Sequence, residues 1–290
     1  MVEGRSLSDV ARSYGVSKSW VSKLVARYRL EGEAAFEPRS RRPRTSPNRL
    51  TDEHIAAIIA LRKRLTRQGL DAGPDTIAWH LLNKRGVKVS SATISRYLRA
   101  AGLVTPQPRK RPRSSYVRFE ASMPNETWQS DFTYVRLADG SDAKVLSWLD
   151  DCSRLALSVT AHREVPALIV LATFRRTVAR YGAPASTLTD NGLVYTARFA
   201  TGKGGRTALE NELRALGISQ KNSRPNHPTT CGKVERFQQT LKQWLAARPP
   251  AADLEALQTL LDTFRSAYNR QRPHRSLPGR TTPQSRYDSL

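Results

Sequence analysis

From Trp128 onward the chain changes its hydrophobic period in a fixed order, and that order limits the fold more than any other feature. Three strand-type runs come first, Trp128 to Leu137, Ala143 to Leu149 and Leu155 to Ala161. The turns Ala138-Asp139-Gly140-Ser141 and Asp150-Asp151-Cys152-Ser153-Arg154 separate them. A helical run follows from Pro166 to Tyr181, with Leu168, Leu171, Ala172, Phe174 and Val178 expected inward, and Gly182-Ala183-Pro184 ends it. A β-prone run, Ala185 to Leu188, leads into Thr189-Asp190-Asn191-Gly192 and its Asn-Gly turn signal. A helix, a strand and a further helix complete the series. The expected fold class is α/β, a mixed five-stranded sheet with flanking helices.

Three acids occupy informative places in this order. Asp131 interrupts the strand-like run Trp128-Gln129-Ser130-Asp131-Phe132-Thr133-Tyr134-Val135. Asp190 sits at the carboxyl end of a buried strand, where open α/β sheets bind ligands. Glu235 opens a helical run in Gly232-Lys233-Val234-Glu235-Arg236-Phe237. Convergence of the three would give hard oxygen donors for a pair of divalent cations. The other acids have plainer readings. Asp139 and Asp142 fit a hairpin, Glu210 and Glu212 a solvated helix, and Asp150 and Asp151 a turn before they fit a metal.

Charge identifies the partner. Against 25 Asp+Glu stand 48 Lys+Arg, a formal net charge of +23, and a surplus of that size calls for a polyanion. A merely basic protein, or one resting on anionic membranes, is the plainer alternative. The sequence has no apolar run of 18 residues and no lipid-anchor pattern, so no membrane role is expected. The amino terminus lacks a secretory apolar region, and Cys152 and Cys231 give neither a disulfide framework nor zinc spacing. A reducing cytoplasm is the expected compartment.

Before Trp128 the pattern is helical and basic. Ser6 caps a helix from Leu7 to Tyr14, Gly15 ends it, and Ser17 caps a second from Lys18 to about Leu30. This helix-turn-helix patterning puts Ser17, Lys18, Ser19 and Ser22 at the leading end of a recognition helix; an ordinary helical hairpin is the alternative. A second such unit runs from Thr51 to about Leu103, with Ile55, Ile58, Ile59 and Leu65 as one apolar stripe and Ile77, Trp79, Leu81 and Leu82 as another. Its last helix, Ser91 to Ala100, offers Ser91, Thr93 and Arg96 to a groove. Two Pro-broken basic linkers follow these units, one carrying Arg39, Arg41, Arg42 and Arg44, the other Arg109, Lys110, Arg111 and Arg113. The expected division is 1–37 helix-turn-helix, 38–50 linker, 51–104 second helix-turn-helix, 105–120 linker, 121–248 catalytic core, and 249–290 helix with basic tail. On the helix of Glu235, the residues Lys233, Arg236, Gln239 and Lys242 form an expected DNA-facing surface, while Val234, Phe237 and Leu241 pack inward.

Trp128-Gln129-Ser130-Asp131-Phe132-Thr133, Thr189-Asp190-Asn191-Gly192 and Gly232-Lys233-Val234-Glu235-Arg236 resemble, in order, the three catalytic motifs of insertion-sequence transposases of the DDE class. The resemblance extends to the helix-turn-helix units, to Asn222-Ser223-Arg224-Pro225-Asn226-His227-Pro228, and to Tyr268-Asn269-Arg270-Gln271-Arg272-Pro273-His274. It implies a ribonuclease H-like core of retroviral-integrase type, with the first strand beside the fourth. It also implies Asp131, Asp190 and Glu235 as catalytic residues and ligands of two Mg²⁺ ions, with Mn²⁺ as a substitute. Asp131 would bridge the ions. Two departures stand out: 45 residues separate Asp190 from Glu235, with Thr196 to Thr207 as a local insertion, and Cys231 occupies a position usually polar. His227 reads equally as a phosphate contact or a loop cap. Such units usually carry a helix before the first one, and only five residues precede Ser6; many relatives continue past the core into a further small β domain, and this chain stops at Leu290, so that part is either missing or was never there.

The expected function is therefore a transposase that binds the terminal inverted repeats of a mobile element and performs metal-dependent cleavage and strand transfer. Its partner is double-stranded DNA, bound as a homo-oligomer. The alternative is a decayed transposase that only binds DNA; a nuclease of RNA–DNA hybrids is disfavoured by two units suited to duplex reading.

Overall fold

The computed structural model describes residues 4–38, 49–104, 120–197, 205–222 and 232–290, which fall into two compact units, Met1–Leu50 and Thr51–Leu290. In the first, α1 (Leu7–Ser13) and α2 (Lys18–Glu31) begin at the expected caps, where Ser6 accepts from the Asp9 amide and Ser17 from that of Trp20. A 3-10 turn, Gly32–Phe36, closes the unit, and the Arg27 guanidinium ties it down by donating to the Ala34 and Glu37 carbonyls.

In the second unit, α3 (Asp52–Arg67), α4 (Pro74–Arg85) and α5 (Ser91–Ala100) meet around fully buried Ile58, Ile77, Leu81 and Ile94. The inward face of α4 differs from expectation. His80 is buried instead, Trp79 is partly covered and Leu82 is exposed, because the helical period aligns 77, 80 and 81 on one side.

The sheet follows with β1 (Thr127–Arg136), β2 (Asp142–Asp150), β3 (Ala156–His162), β4 (Ser186–Thr189) and β5 (Ser219–Asn222), in the order β3-β2-β1-β4-β5. The β1–β2 and β2–β3 pairs are antiparallel, whereas β1–β4 and β4–β5 are parallel, so the first strand lies beside the fourth as expected. On one face pack α6 (Ala167–Tyr181) and α7 (Ala208–Ala215), around Trp128, Trp148 and Phe174. These three rings are fully buried and lie 5.2–6.4 Å apart, centroid to centroid. Truncating any of them to alanine would cost about 3–5 kcal/mol. On the other face pack α8 (Gly232–Ala246) and α9 (Leu254–Arg270), through Phe237, Leu241, Trp244, Leu261 and Phe264.

Two expectations in this region are corrected. Leu168 and Ala172 of α6 point to solvent, since Val170, Thr173, Phe174 and Thr177 take the sheet-facing positions and the Thr173 and Thr177 hydroxyls satisfy themselves on α6 carbonyls. Glu210 and Glu212 have fixed partners: Glu210 completes a capping box with Thr207, and Glu212 pairs with Arg175. The basic tail also folds, ending in α10 (Pro283–Asp288), whose Tyr287 hydroxyl donates to Asn125. No helix among the described residues is long and apolar enough to cross a membrane.

Candidate active site

Parallel pairing of β1 with β4 sets Ser130 against Thr189, so Asp131 and Asp190 come next, side by side, where the pairing of these two interior strands ends. Asp131 accepts from its neighbour's amide, Phe132 N–H, at 2.8 Å and from the Gln238 side-chain amide on α8 at 3.0 Å. Asp190 leaves β4 into a tight turn in which Oδ1 accepts from the Gly192 amide at 3.0 Å. A Cβ at residue 192 would lie 3.1 Å from that oxygen, a tight contact that the Asp190 side chain would have to shift to relieve. The Asn222 side chain donates to the Asp190 carbonyl, linking the turn to β5.

The third acid stands on α8. One side of this helix buries Val234, Phe237, Leu241 and Trp244, and the other exposes Glu235, Arg236, Gln239 and Lys242. Gly232, Glu235, Arg236, Gln238, Gln239 and Lys242 line an open cleft of about 490 Å³. Burial first, and then the like charges of Asp190 and Glu235, push the Asp131 carboxyl up to about 6. Of the three acids, Asp190 and Glu235 thus both disfavour a charge on Asp131. Their donor set, all carboxylate oxygen and mutually repelling, suits a hard divalent cation whose charge would relieve that repulsion. Among the described residues, which include all three acids, no group of three His, Cys, Asp or Glu side chains is gathered closely enough to hold a metal ion as it stands; Mg²⁺ sites commonly draw remaining ligands from water and phosphate.

Other expected site residues fall in several places. In α2, Ser17, Lys18, Ser19 and Ser22 are exposed, although the Ser17 hydroxyl already serves as cap. In α5, Arg96 is exposed, Thr93 is half-buried, and Ser91 donates at 2.5 Å to Asp75, which also pairs with Arg280 at 2.7 Å. Arg236 and Gln239 bond one another on the exposed side of α8, near Lys242. Lys233 turns inward onto Asp151, with only 21% of its side chain exposed. Asp150 and Asp151 are both engaged away from the cleft: Asp150 accepts from Ser153 and Asn125, and Asp151 from Ala121, Gln129 and Lys233. Arg39, Arg41, Arg42, Arg44, Arg109, Lys110, Arg111 and Arg113 lie outside the described residues, as do His227 and Cys231. Gln238 was not anticipated. Its place three residues after Glu235, on a neighbouring helix position, was the available signal.

A mixed five-stranded sheet of this order, flanked by helices, is the fold of an integrase core. Family models described as "Integrase core domain" match residues 121–228 and 216–283, and one described as "Homeodomain-like domain" matches residues 20–98. The chain is 26% identical over 200 residues to the insertion element IS407 uncharacterized 31.7 kDa protein of Burkholderia multivorans, covering 68% of this chain and 69% of that one. It is 26% identical over 163 residues to the insertion element IS476 uncharacterized 39.2 kDa protein of Xanthomonas euvesicatoria, covering 56% of this chain and 44% of that one. Among solved structures, the HTLV-2 integrase catalytic core domain in complex with magnesium is similar at a TM-score of 0.45 and 17% identity, covering 58% of this chain and 99% of that one. The chain carries an integrase core domain, preceded by a homeodomain-like region, and is similar to proteins of insertion elements.

Proposed function

We propose that the protein binds the terminal inverted repeats of its own mobile element and, as a homo-oligomer on DNA, cleaves the element ends and joins them to target DNA. What supports this reading is the placement of Asp131 and Asp190 at neighbouring positions of the paired strands β1 and β4, with Glu235 on α8 near enough to act on Asp131 and facing a cleft bordered by Arg236 and Lys242. Asp131, Asp190 and Glu235 would hold Mg²⁺, which supplies an activated nucleophile at neutral pH and a clamp for charge on the attacking and leaving oxygens. Arg236, Gln239 and Lys242 would orient the DNA backbone along the exposed side of α8. The exposed leading end of α2 (Ser17, Lys18, Ser19, Ser22) and Thr93 and Arg96 on α5 would read duplex, with the two arginine-rich linkers following phosphates. No covalent protein intermediate is needed, because a 3′-hydroxyl freed by the first step is itself the nucleophile of the second.

Purified protein with Mg²⁺ and labelled duplex carrying the element ends tests this. Asp190→Asn and Glu235→Gln are each expected to lower strand transfer at least a thousandfold while repeat binding stays within about twofold. Wild-type activity in Asp190→Asn would refute the assignment.

A further inference from the structure

Lys233 precedes the catalytic glutamate by two positions and looks, by sequence, like another cation for DNA. Its ammonium instead contacts both oxygens of Asp151, at 2.6 and 2.5 Å. Asp151 is 1% exposed, and the same carboxylate also accepts from the Gln129 side chain at 2.6 Å and the Ala121 amide at 2.7 Å. Gln129 spends its other amide atom on α8, accepting from the Val234 amide at 3.2 Å. That N–H belongs to the first turn of the helix, where no intrahelical acceptor exists.

We propose that Asp151, Lys233 and Gln129 form a buried clamp that positions Glu235 against Asp131. The clamp rests on the reading of the three acids as the ion-holding set. Gln129 lies two residues before Asp131 on β1 and hence on the same face of the strand. Val234 is the residue immediately before Glu235. The backbone of the glutamate is therefore tied, within one residue, to the strand that carries the aspartate. A second tie follows one helical turn later, where Gln238 donates to Asp131. Glu235 is held from both sides while its own carboxylate stays exposed to the cleft. An ion pair in such a place contributes little net stability, since desolvation offsets its attraction. Its use is geometric, because a displacement of about 1 Å in a reacting constellation costs on the order of a hundredfold.

The test is Mn²⁺ binding to the full-length chain, followed through the electron-spin signal of free Mn²⁺, with strand transfer and duplex affinity measured alongside. Lys233→Met is expected to weaken Mn²⁺ binding at least about tenfold, as losses of supporting contacts around metal sites do. Lys233→Arg is expected to restore most of it. Added to Glu235→Gln, Lys233→Met is expected to cost nothing further, because the residue it positions is already lost. Duplex affinity and its salt dependence should not change, whereas a DNA-contacting lysine would take about 0.9 off the log–log salt slope. If Lys233→Met leaves too unstable a fold, Asp151→Asn combined with Lys233→Met removes both charges together and should reproduce the Mn²⁺ loss. Unchanged Mn²⁺ affinity in a folded clamp variant, or a loss that adds fully to that of Glu235→Gln, overturns the clamp alone. A wild-type chain that binds no Mn²⁺, or a Glu235→Gln chain that binds it normally, overturns the underlying site and the clamp with it.

Discussion

Asp131 concentrates the conflict between stability and function in a single side chain. Burial and the charges of Asp190 and Glu235 hold its carboxyl near 6 in the folded chain, against 3.8 for an unperturbed aspartate. Between those values the folded state binds the additional proton. Stability therefore falls as pH rises from about 4 to about 6, and the deficit is complete above that. Asp131→Asn removes the buried charge and keeps an acceptor for the Phe132 amide, with Gln238 free to flip. In metal-free buffer at pH 7.5 it should raise unfolding free energy by about 1–3 kcal/mol, and the gain should vanish near pH 4. Denaturant titrations at the two pH values decide; an Asp131→Asn chain less stable than wild type at pH 7.5 would show that the site holds no such strain. The acid was legible because a charge inside an apolar strand run needs a reason. Its supporting cast was not. Lys233 and Asp151 lie 82 residues apart, and Gln129 and Val234 105 apart, so no local period connects them.

Elements were readable where one face is apolar and misread where two faces compete. The succession of strands and helices along the chain followed from period and turn chemistry, the place of the first strand beside the fourth came from the family resemblance, and the α8 division into a packed and an exposed side was visible in its spacing. In α6 the threonines, not Leu168, took the inner positions, since their hydroxyls close onto the helix's own carbonyls and can be buried. The contact between α3 and α8 had no sequence signal at all. Just past α3, Gly69 has φ +69° and lies so close to α8 that a Cβ would meet Ala247 Cβ and the Gln243 carbonyl at 2.9 Å and Trp244 Cα at 3.0 Å. Arg248 secures the same junction, stacked 3.2 Å from the Trp244 ring centroid and donating to the Gln68 carbonyl. Asp71 and Asp75 add ion pairs with Arg272 and Arg280. The helices α3–α5 are thereby fastened to the helix that carries Glu235. Gly86, with φ +66° and open space around it, is the internal control. Gly86→Ala should cost about 1–2 kcal/mol from the left-handed backbone alone. Gly69→Ala carries that cost plus the overlap with backbone that cannot give, about 2–5 kcal/mol together. Equal urea midpoints for the two variants would mean that α3 does not dock on α8 in solution.

At the scale of the whole chain, a net charge of +23 on 290 residues means that folding and DNA binding share one electrostatic problem. Each phosphate neutralised by an arginine releases condensed counterions, so affinity should fall with salt along a slope of about −0.9 per contact. The open question is which cations make those contacts. Several near the core are already matched within the fold: Lys233 with Asp151, Arg154 with Glu120, Arg175 with Glu212, and Arg272 with Asp71. Arg39, Arg41, Arg42 and Arg44 stand in a stretch without a single acid from Pro38 to Leu50. If they lie on phosphates, replacing all four by glutamine should make the log–log salt slope shallower by roughly 3–4. Preference for repeat DNA over random duplex should survive, because backbone contacts position the protein without reading bases. Repeat binding measured from 50 to 300 mM salt, on repeat and scrambled duplex, separates the outcomes. A slope unchanged by the four substitutions would make this segment a tether and move the electrostatic footprint onto α2, α5 and the exposed side of α8.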